Sequence, residues 1–147
     1  MLLTLCIIQK DSRVLLGMKK RGFGKGWWNG FGGKVQDGES IESATVRETI
    51  EEVGIKPLHL KKAGILIFHF ENNPHPQTAH VFISSTFEGE PTETDEMKPQ
   101  WFDIKEIPYK LMWPADIYWL PPALDGKIVH GEFHFSKTNK LIAHVVK

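Results

Sequence analysis

The sequence contains a single cysteine, Cys6, among its 147 residues. An intrachain disulfide is therefore excluded, and this cysteine usage favours a reducing compartment. Net charge is also lacking: 18 basic residues balance 18 acidic ones, so the overall charge gives no support for binding a nucleic-acid polymer. No segment approaches the roughly 20 apolar residues of a membrane-spanning helix, and the first residues lack the basic and apolar regions of a secretion signal. We therefore expect a cytoplasmic protein without a membrane partner, and leave delivery to an organelle open.

The length and the 41% hydrophobic content are those of one globular domain. We find no internal repeat and no interdomain linker, so we expect a single domain over residues 1–147. Hairpins are predicted at residues 2–18 and 130–146, strands at 58–71, 80–87 and 100–104, a turn at 72–77, and helices at 41–53 and 114–124. Many strands with two separated helices predict an α+β fold, with a mixed sheet and helices on its faces.

Three glutamates, Glu48, Glu51 and Glu52, share one side of the first predicted helix, which Ser40 begins as an N-cap and Gly54 ends. Like charges at this spacing repel by roughly 0.2–0.5 kcal/mol per pair. A hard divalent cation would remove that cost, because Mg²⁺ prefers oxygen ligands. The alternative is an ordinary solvated acidic face.

The opposite side of the same helix is expected to be its buried face. It carries an arc of mostly apolar residues: Val46, Thr49, Ile50 and Val53. Immediately before the helix lies a loop rich in glycine, in which Gly32 and Gly33 would let the backbone approach a phosphate or a metal closely. The alternative for this loop is a flexible connection without a ligand.

The whole segment from Gly33 to Ile55 resembles the Nudix box, G-x5-E-x7-R-E-U-x-E-E-x-G-U, in which U is an aliphatic residue. The matching positions are Gly33, Glu39, Arg47, Glu48, Glu51, Glu52, Gly54 and Ile55. Thr49 departs from the pattern, because the family has an aliphatic residue there. The resemblance implies the Nudix fold, an α/β/α sandwich with a curved mixed central sheet.

The resemblance also implies a metal site. The implied ligands of Mg²⁺, with Mn²⁺ as a substitute, are the carbonyl of Gly32 and the carboxylates of Glu48, Glu51, Glu52 and, from a later loop, Glu96. Arg47 would pair with Glu39 and brace the loop against the helix. The catalytic set would be Glu48, Glu51 and Glu52, and either Glu52 or Glu51 would take the proton of the attacking water.

Beyond the box, the chain is similar to the branch of 8-oxo-dGTP diphosphatases, which clear oxidised purine nucleotides from the precursor pool. Residues 13–24 and 28–36 carry that similarity, together with segments 95–97, 101–102, 112–114 and 118–119. The substrate-binding residues implied by it are Thr4, Lys19, Phe23, Asn29, Phe31, Gly33, Lys34, Phe68, Met97, Trp113 and Asp116. Among these, Trp113 offers a flat face for stacking a base, worth about 1–3 kcal/mol.

One departure bears on specificity. The branch has two adjacent acids after a Trp-Pro pair, whereas here Ala115 replaces the first and only Asp116 remains. A lone Asp116 can still accept from the N1–H and the amine of a guanine-type base, but the partner for O6 is missing. One lost buried hydrogen bond costs roughly 1–3 kcal/mol, which is enough to reorder substrates. Gln77 also stands where the branch tends to have methionine.

We therefore expect a Mg²⁺-dependent Nudix hydrolase that converts oxidised purine nucleoside triphosphates, such as 8-oxo-dGTP, to the monophosphate and pyrophosphate and so cleans the nucleotide pool. The alternatives are a Nudix enzyme for a methylated purine triphosphate or a dinucleoside polyphosphate, a non-catalytic nucleotide-binding module, and a protein-interaction domain. We expect a monomer, because no surface for a partner chain is evident. The seven histidines are dispersed, and no transition-metal site is expected from His130 and His134.

Overall fold

A computed structural model describes residues 1–147. The strands are β1 (Leu2–Lys10), β2 (Arg13–Lys19), β3 (Trp28–Asn29), β4 (Phe31–Lys34), β5 (Lys56–Leu58), β6 (Lys61–Phe70), β7 (Asn73–Ser84), β8 (Thr86–Glu88), β9 (Met97–Asp103), β10 (Val129–Phe135) and β11 (Leu141–Val146). The helices are α1 (Ile41–Val53) and α2 (Asp116–Leu124). Neither α-helix combines the length and the apolar content that crossing a bilayer would require.

Nine of the strands form one mixed sheet. Its order is β11-β10-β6-β7-β1-β2-β3, with β4 paired to β1 and β9 paired to β2. The pairs β1–β7 and β6–β10 are parallel, and the remaining pairs are antiparallel. Strands β5 and β8 form a separate two-stranded sheet. The predicted α+β class with a mixed sheet is confirmed.

The two helices cover opposite faces of the sheet, and alternation along β1 shows why. Ile7 packs into a large core cluster together with Trp119 of α2. Its neighbours Cys6 and Ile8 point the other way, into a second cluster with Val53 of α1. Successive side chains of a strand face opposite sides, so a central strand that is apolar at every position needs a cover on each face. The predicted α/β/α arrangement follows from this.

Both predicted hairpins and the first helix are confirmed. Asp11 and Ser12, at φ 53° and 67°, make the two-residue turn between β1 and β2. The side chain of Ser40 accepts from the N–H of Ser43 at 3.1 Å and caps α1. Gly54 ends the helix in the left-handed conformation at φ 74°.

The predicted turn at residues 72–77 is wrong, because β7 already begins at Asn73 and includes Pro74 and Pro76. This part of β7 has a strand partner on one side only: β6 pairs with it there, whereas β1 joins from Thr78 onward. Proline is tolerated in a strand where no ladder hydrogen bond is required of its nitrogen.

The single strand predicted over 58–71 is in fact interrupted at His59, whose φ is 50°, so that β5 and β6 are separate.

The predicted buried arc of α1 is partly wrong. Ile50 is 44% exposed, and the buried residues of the helix are Ala44, Thr45, Thr49 and Val53. The helix is turned with these threonines toward the sheet: Thr45 hydrogen-bonds to the Thr4 hydroxyl of β1, whereas Thr49 donates to the carbonyl of Thr45 at 2.8 Å within the helix itself. As a result Glu48 and Glu52 lie at the edge of the buried face.

Candidate active site

A cavity of about 210 Å³ opens beside the first strands of the sheet. Its wall contains Glu52 of α1 together with the backbone of Gly32 and Gly33, and it also contains Asp116 and Trp113. Two of the expected carboxylates, Glu52 for the metal and Asp116 for the nucleobase, thus lie in the wall of one cavity. Thirteen of its 22 lining residues are hydrophobic, a composition typical of a small-molecule site that is oriented by a few polar groups.

Most of the residues expected to bind substrate line this cavity. They are Thr4, Lys19, Phe23, Asn29, Gly33, Phe68, Met97, Trp113 and Asp116. Phe31 does not: its side chain is fully buried on the opposite face of the sheet, in the cluster beneath α1. Lys34 does not line it either, since it is exposed at the end of β4. The alternation along β4 explains Phe31, because Gly30 and Gly32 on either side of it face the cavity.

The structure adds several cavity residues that the sequence reasoning did not assign to the site. They are mainly apolar, and include Phe70, Met112, Trp119 and Phe135. Phe70 could have been found, because it shares one side of its strand with Phe68. Phe135 could not, because it reaches the cavity through the parallel pairing of β10 with β6, where it stands opposite Phe70.

Trp113 is the centre of an aromatic group at one end of the cavity. Its ring centroid lies 4.6 Å from that of Trp27, 5.0 Å from Phe23 and 5.6 Å from Phe135. Phe23 remains 57% exposed despite its contacts, so an apolar face is open to solvent at the mouth. A planar base can enter such a group by stacking.

Asp116 is the carboxylate in the apolar part of the cavity. Burial raises its pKa to about 7, although the hydrogen bond from Trp119 opposes that effect. The indole Nε1–H of Trp119 donates to Asp116 Oδ1 at 3.0 Å and fixes the carboxyl group. At neutral pH this group is therefore poised between a form that only accepts hydrogen bonds and a form that can also donate one.

Glu52 is the acid of α1 that enters the cavity wall. Its Oε1 accepts a hydrogen bond from the backbone N–H of Gly32 at 2.7 Å. Burial is the main cause that raises the pKa of Glu52 to about 8; the carboxylates of Glu48 and Glu96 act in the same direction, and the Gly32 N–H and Lys19 oppose them. A carboxylate whose charge is disfavoured by burial and by neighbouring acids is one that a bound cation would stabilise.

Arg47 braces the helix against the preceding loop, as predicted. It binds Glu39 through two nitrogens, Nε to Oε2 at 2.7 Å and Nη2 to Oε1 at 3.0 Å, and Nη2 also donates to the carbonyl of Lys34 at 3.2 Å. This hydrogen bonding lowers the pKa of Glu39 to about 2. Arg47 Nη1 further reaches Glu48 at 2.8 Å and Glu51 at 3.3 Å.

The three acids of α1 are not gathered as closely as their spacing suggests. Their ligand atoms do not all lie within 4.8 Å of one another. Arg47 holds Glu48 and Glu51 on one side, whereas the Gly32 N–H holds Glu52 on the other. Glu51 is the most exposed of them, with 58% of its side chain accessible.

Even so, the residues around β4 fit a hard divalent cation. A Cβ atom added to Gly33 would lie 2.6 Å from the carboxyl carbon of Glu48, so only glycine lets this carboxylate rest against the backbone. Glu52 approaches the adjacent residue Gly32 in the same way. The donors are all oxygen atoms, the type that Mg²⁺ and Mn²⁺ prefer.

Glu96 lies near this group but is paired. Its carboxylate accepts from Arg21, with Nε to Oε1 at 3.1 Å, and this bond lowers the pKa of Glu96. Both side chains are well exposed, so the pair is weak and can rearrange. Glu96 is thus a further carboxylate near Glu52 that could bind a cation if its ion pair with Arg21 opened.

We expect Gly32→Ala to unfold or strongly destabilise the protein. A Cβ atom at this position would lie 1.8 Å from the carbonyl oxygen of Thr4, which belongs to the paired backbone of β1 and cannot move aside. The expected loss in the free energy of unfolding is about 3 kcal/mol or more, measured by urea denaturation. Gly38→Ala is the control: Gly38 has a positive φ but nothing within 4 Å of an added Cβ. Equal losses for both variants would contradict the assigned close contact.

Comparison with known proteins finds one family over most of the chain, including the segment from Gly33 to Ile55. A family model described as the NUDIX domain matches residues 3–122. A Danio rerio protein named oxidized purine nucleoside triphosphate hydrolase is 50% identical over 143 residues, which cover 97% of this chain and 92% of the relative. A Mus musculus protein of the same name is 44% identical over 146 residues, covering 99% of this chain and 94% of the relative.

Solved structures agree. The MutT protein of Bacillus halodurans superimposes with a TM-score of 0.87 at 28% identity, over 99% of this chain and 97% of that protein. A MutT NUDIX hydrolase from Burkholderia pseudomallei gives a TM-score of 0.72 at 30% identity, over 84% of this chain and 95% of that protein.

Proposed function

The chain belongs to the Nudix family, and from that premise we propose that it hydrolyses oxidised purine nucleoside triphosphates, such as 8-oxo-dGTP, to the nucleoside monophosphate and pyrophosphate. The observation that carries the proposal is the single cavity whose wall contains Glu52 of the Nudix box as well as Asp116 and Trp113. A nucleotide can then place its phosphates at the acidic helix and its base against the tryptophan. The relatives named for oxidised purine substrates support the same choice.

We assign the metal site to Glu48, Glu51, Glu52 and Glu96 with the backbone of Gly32, and the metal to Mg²⁺, which Mn²⁺ can replace. When bound, the cation supplies charge neutralisation on the phosphate chain and acidifies the attacking water. Glu52, or Glu51 in its place, takes the proton of that water. Glu52 suits the role because it is the acid of α1 that enters the cavity wall, where the N–H of Gly32 fixes its carboxyl group.

The other end of the cavity recognises the base. Trp113 stacks on its face, and Asp116 accepts hydrogen bonds from its Watson–Crick edge when ionised. Lys19 lies in the wall close enough to Glu52 to lower its pKa, which supports a role for its charge in binding the phosphates. A base bound against the apolar wall would displace water, which would strengthen each of these polar contacts.

The test is a substrate panel in which pyrophosphate release is measured in the presence of Mg²⁺. The panel contains 8-oxo-dGTP, 2-hydroxy-dATP, O6-methyl-dGTP and dGTP, and kcat/KM is compared among them. We expect an oxidised purine to rank first and pyrophosphate to appear in equal amount with the monophosphate. Release of orthophosphate, or binding without turnover, would reject the proposal in favour of a different hydrolase or a binding module.

Ala115 makes the ranking itself testable. We expect Ala115→Asp to change the ratio of kcat/KM between 8-oxo-dGTP and O6-methyl-dGTP by about tenfold or more, because a second carboxyl group beside Asp116 would meet O6, and one such hydrogen bond is worth about 1–3 kcal/mol. Ala115 is fully buried, so Ala115→Val, which cannot hydrogen-bond to O6, serves as a control for the added volume. An unchanged ranking in the aspartate variant would contradict the role given to the missing acid.

We further propose that the active form is a cytoplasmic monomer. The support is that Glu52, Trp113 and Asp116 already meet in one cavity within a single chain, and that the only cysteine, Cys6, is buried. Analytical sedimentation at micromolar concentration checks the oligomeric state, and a dimer would contradict the proposed monomer.

A further inference from the structure

A second group of metal-binding side chains lies on the other face of the sheet, away from the cavity. The parallel pairing of β6 with β10 places His134 directly beside His69. Their imidazole rings are stacked, with centroids 4.3 Å apart and planes inclined by 5°. Glu132, two residues before His134, shares their face of the sheet. The ligand atoms of all three side chains lie within 4.8 Å of one another.

Both histidines point at the same carboxylate. His69 Nε2 lies 2.7 Å from Glu132 Oε1, and His134 Nε2 lies 3.8 Å from the same oxygen. These two contacts are the only ion pairs that Glu132 makes, so no lysine or arginine competes for its charge. The group is also open to solvent, because 34% of the His69 side chain, 50% of Glu132 and 45% of His134 are accessible.

We propose that His69, Glu132 and His134 form a binding site for Zn²⁺, separate from the catalytic site. Two imidazole nitrogens and one carboxylate oxygen are a donor set that suits zinc and not Mg²⁺. Bonds of about 2.0–2.1 Å at tetrahedral angles place the ligand atoms roughly 3.3 Å apart. The observed separations of 2.7 and 3.8 Å from the shared oxygen lie on either side of that value. Because the two rings are stacked nearly parallel, zinc binding also requires them to rotate so that both nitrogens face one ion, which their solvent exposure permits.

The site would join two strands that are distant in sequence. Its ligands come from β6 and β10, and the fourth position of a tetrahedral ion faces solvent, which leaves room for water or a further ligand. The opposite faces of these strands carry Phe68 and Phe135 of the cavity wall. Bound zinc therefore stabilises the part of the sheet that supports the cavity without touching it.

The experiment is a titration of the metal-free full-length protein with Zn²⁺ in an excess of Mg²⁺, which occupies the acidic site. We expect one equivalent to bind and the melting temperature to rise by roughly 5–10 °C at a hundredfold excess over Kd. His134→Ala and His69→Ala should each weaken binding at least about tenfold and abolish the shift. Their hydrolysis of 8-oxo-dGTP with Mg²⁺ should remain that of the unmodified protein.

The matched control is His130→Ala, on the same strand and the same face but outside the group; it should bind zinc normally. In the unmodified protein, Zn²⁺ should shift the imidazole NMR signals of His69 and His134 and leave those of His130 unchanged, a readout that needs no variant. No bound equivalent in the unmodified protein, or equal binding by His134→Ala, would overturn the proposal. The proposal would also be overturned if Zn²⁺ shifted only the NMR signals of residues in α1.

Discussion

Glu52→Gln is expected to lower kcat for 8-oxo-dGTP by about 10²–10⁴-fold, the range typical for loss of a positioned acid–base group. The variant keeps the structural contact, because the carbonyl oxygen of glutamine can accept the same 2.7 Å hydrogen bond from the N–H of Gly32. It removes the negative charge, which both the cation and the proton of the attacking water require. Steady-state measurement of pyrophosphate release at saturating Mg²⁺ gives the change.

Glu42→Gln is the matched control for this variant. Glu42 lies in the first turn of the same helix, is exposed, and takes no part in the cavity wall. It should retain full turnover, and both variants should unfold at similar urea concentrations. Full turnover by Glu52→Gln would remove Glu52 from the mechanism and leave Glu51 as the candidate for the proton acceptor.

Asp116→Asn is expected to lower kcat/KM for 8-oxo-dGTP by about 10- to 100-fold at pH 8. An ionised Asp116 accepts from two donors of a guanine-type base, whereas an asparagine presents one acceptor and one donor. Hydrogen bonds to charged groups are worth about 1.5–3 kcal/mol each, which sets the size of the loss. The effect should appear mainly in KM, because Asp116 touches the base and not the reacting phosphorus.

The same residue predicts a pH dependence whose sign is fixed by its pKa. Burial raises the pKa of Asp116 to about 7, so the accepting, ionised form is lost as the pH falls through that value. Between pH 8 and pH 6 its ionised fraction falls from roughly nine tenths to one tenth, and KM for 8-oxo-dGTP should rise by about tenfold. Asp116→Asn should lack the part of the KM change that comes from titration of Asp116, so any pH dependence that it retains measures titration of the substrate itself.

The control for Asp116 is Asp125→Asn, since Asp125 is exposed at the end of the same helix. It should leave KM and its pH profile unchanged. A pH-independent KM in the unmodified protein, or an Asp116→Asn variant with the original substrate ranking, would show that Asp116 does not read the base.

Local signals predicted much of the site. The helix, its cap at Ser40 and its end at Gly54 depend on residues within about 20 positions of one another, where local spacing indicates the structure. The pairing of Arg47 with Glu39 was implied by the resemblance to the Nudix box. The similarity beyond the box then indicated nine of the 22 residues of the cavity wall, from Thr4 to Asp116.

What the sequence did not predict depends on tertiary pairing. Phe31 faces away from the cavity because β4 pairs with β1 in a register that sets it opposite Cys6. Ile50 is exposed because α1 lies with Thr45 against Thr4 of β1 and with Val53 in the core cluster, which turns Ile50 toward solvent. His69 and His134 are 65 positions apart, and only the parallel pairing of their strands brings them together. No local pattern contains that information.

We propose that the acids of α1 bind a divalent cation at the end of the cavity that receives the phosphates. The most direct test is a titration of the protein with Mn²⁺ followed by electron paramagnetic resonance, which reports the free ion, with and without a non-hydrolysable analogue of the nucleotide. We predict that the unmodified protein and Glu42→Gln bind Mn²⁺ more tightly when the analogue is present, and that Glu52→Gln binds it at least about tenfold more weakly. Equal affinity in all three proteins would contradict the assignment of the metal to this helix.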